Sequence, residues 1–134
     1  MRVLKLLLVS CLVLGACGGD DDDDSESDAA SLEDQEFVDE TTSTAVTIDA
    51  IDNSFRAQYV EVAAGTTVTF ENNGRNVHNV IPSEEGAFAD VEAEDFEPED
   101  TAEIVFDEPG DYAYYCSLHG TATAGMIGGI RVVE

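Results

Sequence analysis

The chain has 134 residues, 43% of them hydrophobic, with 30 acidic against 5 basic side chains and a formal net charge of −25 at pH 7. That charge excludes nucleic acid as a partner, because a polyanion would be repelled by most of the surface. It favours protein partners with a basic patch, or a saline setting in which an acidic surface keeps the protein soluble.

The first segment reads as an export leader. Arg2 and Lys5 precede an apolar run, Leu6 to Leu14, interrupted only by Ser10. A spanning helix needs roughly 20 apolar residues, so this run is too short to cross a bilayer. Twin arginines are absent, which points to general secretion. The run ends in Leu14-Gly15-Ala16-Cys17, which resembles the lipobox of bacterial lipoproteins. The resemblance implies a signal peptide over 1–16, cleavage before Cys17 and lipidation of its thiol. The product would then be anchored to a bacterial membrane by the lipid alone, outside the cytoplasm, in the periplasm or on the cell surface. Loss of Arg2 and Lys5 with the leader carries the net charge to −27.

Residues 17–43 are expected to form a disordered, acidic tether. Asp20 to Asp24 is an unbroken run of carboxylates, and large apolar residues are scarce as far as Glu40. Such a stretch buries too little to offset its ordering entropy and repels itself. The remaining segment, 44–134, has about ninety residues, enough for one core and a monomeric domain.

Within that segment the apolar period is two. Val46 to Ile51, Tyr59 to Val62, Thr66 to Glu71, Thr101 to Phe106, Tyr112 to Cys116 and Ile127 to Val133 alternate or nearly so, and read as strands. Val77 to Ile81 reads as a further strand with His78 and Val80 on one face. Asn53-Ser54, Ala64-Gly65, Asn72-Asn73-Gly74 and Pro109-Gly110 supply the turns. Residues 82–100 break the rhythm with Pro82, Gly86 and Pro98. Phe88, Val91 and Phe96 suggest that this acidic stretch crosses one end of the core, with room for a short helix. Short strands with regular turns predict an all-β fold, an antiparallel β-sandwich.

The residues that carry chemistry are scarce. Once Cys11 leaves with the leader and Cys17 takes a lipid, Cys116 is the one thiol left, in a compartment where thiols pair or oxidise unless protected. His119 lies three residues on, and Met126 follows. The other imidazole of the sequence is His78. Two imidazoles, one thiolate and a weak axial thioether suit a blue-copper electron-transfer centre. Zinc accepts the same Cys and His, so these residue types alone leave both metals open; the methionine favours copper.

Asn53-Ser54-Phe55, Gly65 to Phe70, His78-Asn79, Pro109-Gly110, Tyr114 to His119 and Gly125-Met126 together resemble the plastocyanin-like cupredoxins. The resemblance covers about residues 46 to 133. It implies a Greek-key β-sandwich with one type 1 copper held by His78, Cys116, His119 and Met126. It further implies that Asn79 and Ser117 hydrogen-bond to each other and tie the two ligand loops together. One departure is visible: six residues, Gly120 to Gly125, separate His119 from Met126, two more than plastocyanins usually have.

The function implied is one-electron transfer to redox partner proteins, with the His119 edge as the near route and Tyr115 as a candidate remote route. The alternative is an envelope copper carrier or store. Catalysis is not expected. Copper oxidases and nitrite reductases of this fold need additional histidines, and both in this sequence are already assigned.

Overall fold

The computed structural model describes residues 30–134. The expected leader, Cys17 and the start of the expected tether lie outside the described residues. Two β-sheets face each other. In chain order the strands are β1 (Val38–Asp39), β2 (Ala45–Ile51), β3 (Ser54–Arg56), β4 (Tyr59–Ala63), β5 (Thr66–Asn72), β6 (Ile81–Pro82), β7 (Thr101–Phe106), β8 (Gly110–Thr121) and β9 (Ala124–Val133). One sheet runs β1-β4-β9-β8-β6 and the other β3-β2-β5-β7.

The alternation seen in the sequence is the alternation of burial. Val46, Ile48 and Ala50 of β2 point inward, as do Val60 and Val62 of β4 and Val68, Phe70 and Asn72 of β5. Tyr114 of β8 fills the centre. Its ring meets Phe55 at 5.0 Å and Phe70 at 5.3 Å, both edge-on, the arrangement aromatic quadrupoles prefer. Directly across the ladder from Tyr114 is Gly128. A Cβ there would lie 2.4 Å from the tyrosine ring, so the missing side chain is the space the ring occupies.

Two expectations are corrected. The sheets are mixed rather than antiparallel: β1–β4, β4–β9 and β2–β5 pair in parallel. The chain passes through the opposite sheet between β2 and β5, and again between β4 and β9, so these neighbours can enter from the same end.

Val77 to Ile81 is not a regular strand. His78, Asn79 and Val80 are all buried in succession, because the segment crosses the mouth of the sandwich. It is held there by His78 N–H donating to Phe96 O and by a bridge between Val80 and Val91. The acidic stretch does close this end, with Phe96 fully buried beside a single 3-10 turn, Ala93–Asp95.

The chain also packs upstream of residue 44. Packed structure begins by Ala30. Leu32 is buried against Gly129, where a Cβ would stand 2.6 Å from the leucine. Phe37 packs on Tyr59 and under the Arg131 guanidinium, 4.2 Å from the ring centre. Arg131 in turn holds Asp111, its ladder partner, through two bonds of 2.8 and 2.9 Å. Gly128 and Gly129 thus form two sockets on opposite faces of β9, one for the core and one for this strap. Charge density pointed to a tether; two apolar side chains and one arginine hold the strap down.

Candidate metal centre

β8 and β9 form a long hairpin that changes character half-way. From Gly110↔Val132 to Tyr115↔Ile127 the ladder is regular. It then breaks and resumes at Gly120↔Gly125 and Thr121↔Ala124. Four residues, Cys116 to His119, therefore face a single residue on β9, which is Met126. The surplus bulges out and exposes Ser117 and Leu118. That fold-back brings Cys116 Sγ within 3.5 Å of His119 Nδ1.

His78 enters from the segment across the sandwich mouth. Its Nδ1 stands 3.2 Å from His119 Nδ1 and 3.8 Å from Cys116 Sγ. A point equidistant from these three atoms lies about 2 Å from each, the bond length from a metal to imidazole nitrogen and close to that for thiolate sulfur. Among the described residues no carboxylate joins this group. His78, Cys116 and Met126 are buried, and His119 is half-buried, with one edge toward solvent. Burial and the adjacent His119 imidazole hold His78 below its ordinary pKa, against a smaller opposing pull from Asp52. A neutral imidazole with a free lone pair is the form a metal needs.

The six residues between His119 and Met126 do not displace the methionine. They close on themselves as the hairpin tip, so the extra length projects outward and Met126 returns opposite the bulge. Two glycines allow this. A Cβ on Gly120 would lie 2.7 Å from both Ala124 O and Met126 N, and one on Gly125, which has φ +86°, would lie 2.7 Å from His119 O. The strands can approach this closely only where both side chains are missing.

The expected link between ligand loops is present and reciprocal. Asn79 Nδ2 donates to Ser117 Oγ at 2.8 Å, and Ser117 N–H donates to Asn79 Oδ1 at 2.8 Å. Tyr115 sits on the sheet face opposite Cys116, paired with Ile81 and Ile127 and half-buried.

Residues 42–133 match the family model for copper binding proteins of the plastocyanin/azurin family. The chain belongs to that family. This cupredoxin is 39% identical over 85 residues to chloroplastic plastocyanin of Physcomitrium patens, covering 58% of this chain and 49% of that one. It is 36% identical over 91 residues to plastocyanin of Vicia faba, covering 61% and 85%. The matched region thus spans about half the length of the chloroplastic relatives. Among solved structures, a purple cupredoxin from Nitrosopumilus maritimus aligns with TM-score 0.56 at 24% identity, covering 66% of this chain and 99% of that one. A copper-containing nitrite reductase from Thermus scotoductus aligns with TM-score 0.53 at 27% identity, covering 67% of this chain but 22% of that one.

Family and donor set together decide the metal left open by residue types. His78, Cys116, His119 and Met126 are arranged as a type 1 copper site. Two features of this cupredoxin's site escaped the sequence reading. Ala30 N–H donates to Ala122 O at the hairpin tip, 2.8 Å, so the strap reaches the metal end. Asn72, read only as part of a turn, is fully buried and shares the Phe96 carbonyl with the His78 N–H. Its neighbours Asn73 and Gly74 make a turn so evident that a structural role for the first asparagine is hidden.

Proposed function

We propose that this cupredoxin carries single electrons on one copper ion that would be held by His78, Cys116, His119 and Met126. The observation that carries the reading is the closed triangle of two imidazole nitrogens and one cysteine sulfur, 3.2 to 3.8 Å apart and buried except at His119. Copper supplies the one-electron couple. The protein contributes rigidity: the Asn79–Ser117 pair and the β8–β9 ladder hold the donors in place, so little has to move when charge changes. The half-exposed edge of His119 is the near path for the electron, and Tyr115 is a second candidate path.

The protein is not an enzyme in this reading. The nitrite reductase it resembles is a much longer chain, and the two histidines of this sequence are both at one site. Lipidation at Cys17 would anchor it outside the cytoplasm. The strap bears on that proposal, since the described chain enters beside Ala122, at the metal end. An anchor upstream would keep the domain near the membrane surface, within reach of a redox partner that presents basic residues to the acidic domain.

Copper added to the copper-free protein should give an intense visible colour that ascorbate bleaches and ferricyanide restores. Cys116→Ser should abolish it. A colourless product, or colour that survives Cys116→Ser, removes the assignment. Slow electron self-exchange in a coloured protein would point to storage instead.

A further inference from the structure

Asn72 is the last residue of β5 and one of the few fully buried polar side chains, at 1% exposure. It makes no hydrogen bond to a donor atom of the metal centre. Yet its amide makes three hydrogen bonds, and each goes to something that places His78. Nδ2 donates to Asn76 O at 2.9 Å, two residues before the ligand. The same nitrogen donates to Phe96 O at 2.9 Å. That carbonyl also accepts the backbone N–H of His78, so one oxygen is shared between the amide and the ligand's own backbone. Finally, Oδ1 accepts from Gly74 N–H at 3.1 Å. Gly74 packs against the far nitrogen of the imidazole: a Cβ there would stand 3.3 Å from His78 Nε2 and 2.8 Å from Asp52 N.

His78 Nε2 is itself buried with no hydrogen-bond partner among the described residues. A ligating histidine is usually oriented by a bond from its second nitrogen. Here no such bond exists, so the ring's orientation must come from packing and from its backbone. We infer that Asn72 is the positioning residue for His78. It supplies through three backbone groups the orientation that a direct bond to Nε2 would otherwise give. Both amide hydrogens and one acceptor site are used, so no substitution preserves the set. Aspartate keeps the shape and the acceptor but loses both donors, and turns a charge toward two carbonyls. Serine loses the reach and leaves space for water.

The copper role rests on the function proposed above; the positioning role does not, and the test separates them. In the copper-free protein, backbone amide exchange at His78 should speed up at least tenfold in Asn72→Ser and Asn72→Asp, while amides of β9 stay protected. In the copper-loaded protein, the thiolate-to-copper band and the electron paramagnetic resonance pattern should shift, and self-exchange should slow at least threefold. Thr66→Val is the matched control. It removes a buried hydroxyl, bonded to Ser43 O at the far end of the sandwich, and should lower the unfolding midpoint without moving either readout. Should aspartate prevent folding, serine carries the test. Unchanged His78 exchange and an unchanged copper spectrum in a folded Asn72 variant would overturn the inference. Faster exchange in a protein that never colours would uphold it and count against the copper reading.

Discussion

The two halves of the β8–β9 hairpin are built from the same pair of strands and do opposite things. In the regular half, Gly110 to Tyr115 against Ile127 to Val132, each residue faces one partner, and Tyr114 fills the core over Gly128. In the other half, four residues face one, the ladder breaks, and the surplus carries a cysteine sulfur and an imidazole to within 3.5 Å of each other. Regularity yields burial, and interruption yields convergence. A strand points alternate residues to opposite faces, so Cys116 and His119, three apart, could not share a face on an unbroken strand.

The comparison can be broken most severely from the regular half. Tyr114→Ala should cost about 3–5 kcal/mol, the usual price of an aromatic removed from a close-packed core, read from the denaturant midpoint. Tyr114→Phe is the informative companion. The Tyr114 hydroxyl is buried with no partner among the described residues, and burial pushes its pKa well up. Its removal should therefore leave stability equal or slightly higher.

In the interrupted half, Gly125→Val should cost about 2 kcal/mol, since a β-branched residue is forced into positive φ against His119 O. Its signature should be local. Copper binding should persist through His78 and Cys116, while the spectrum shifts as His119 and Met126 are pushed apart. A Gly125→Val protein with an unaltered spectrum would show that the close approach of Gly120 and Gly125 does not set the donors.

The smallest effect is one of pH. His78 has a folded pKa below its ordinary 6.5, so the unfolded chain binds the proton more readily. Stability of the copper-free protein should be fully present above about pH 7 and decline as pH falls through 6.5 toward the folded value. His78→Phe should flatten that part of the curve. A slope of the same size in the variant would place the titration elsewhere.

Much of this was legible beforehand. Period-two patterning marked most strands, and the scarcity of thiols and imidazoles marked the ligands. Local sequence left the strand directions and the start of the packed domain undecided. Parallel pairing of β2 with β5 depends on where the chain goes in between. Leu32 and Phe37 look like strays in an acidic segment until Gly129 and Arg131 are seen to receive them. Asn72 is disguised in the same way, as a turn residue whose amide proves to be aimed inward.

The six-residue spacing before Met126 shows where the two kinds of information divide. By itself the sequence determined which donors exist, their order, and the alternation that builds two apolar faces, because these follow from side-chain chemistry and from the geometry of an extended chain. The tertiary structure alone decided that the added length leaves as a hairpin tip and that Met126 returns opposite the bulge. That outcome depends on cross-strand contacts, in which two glycines stand where any side chain would hold the strands apart.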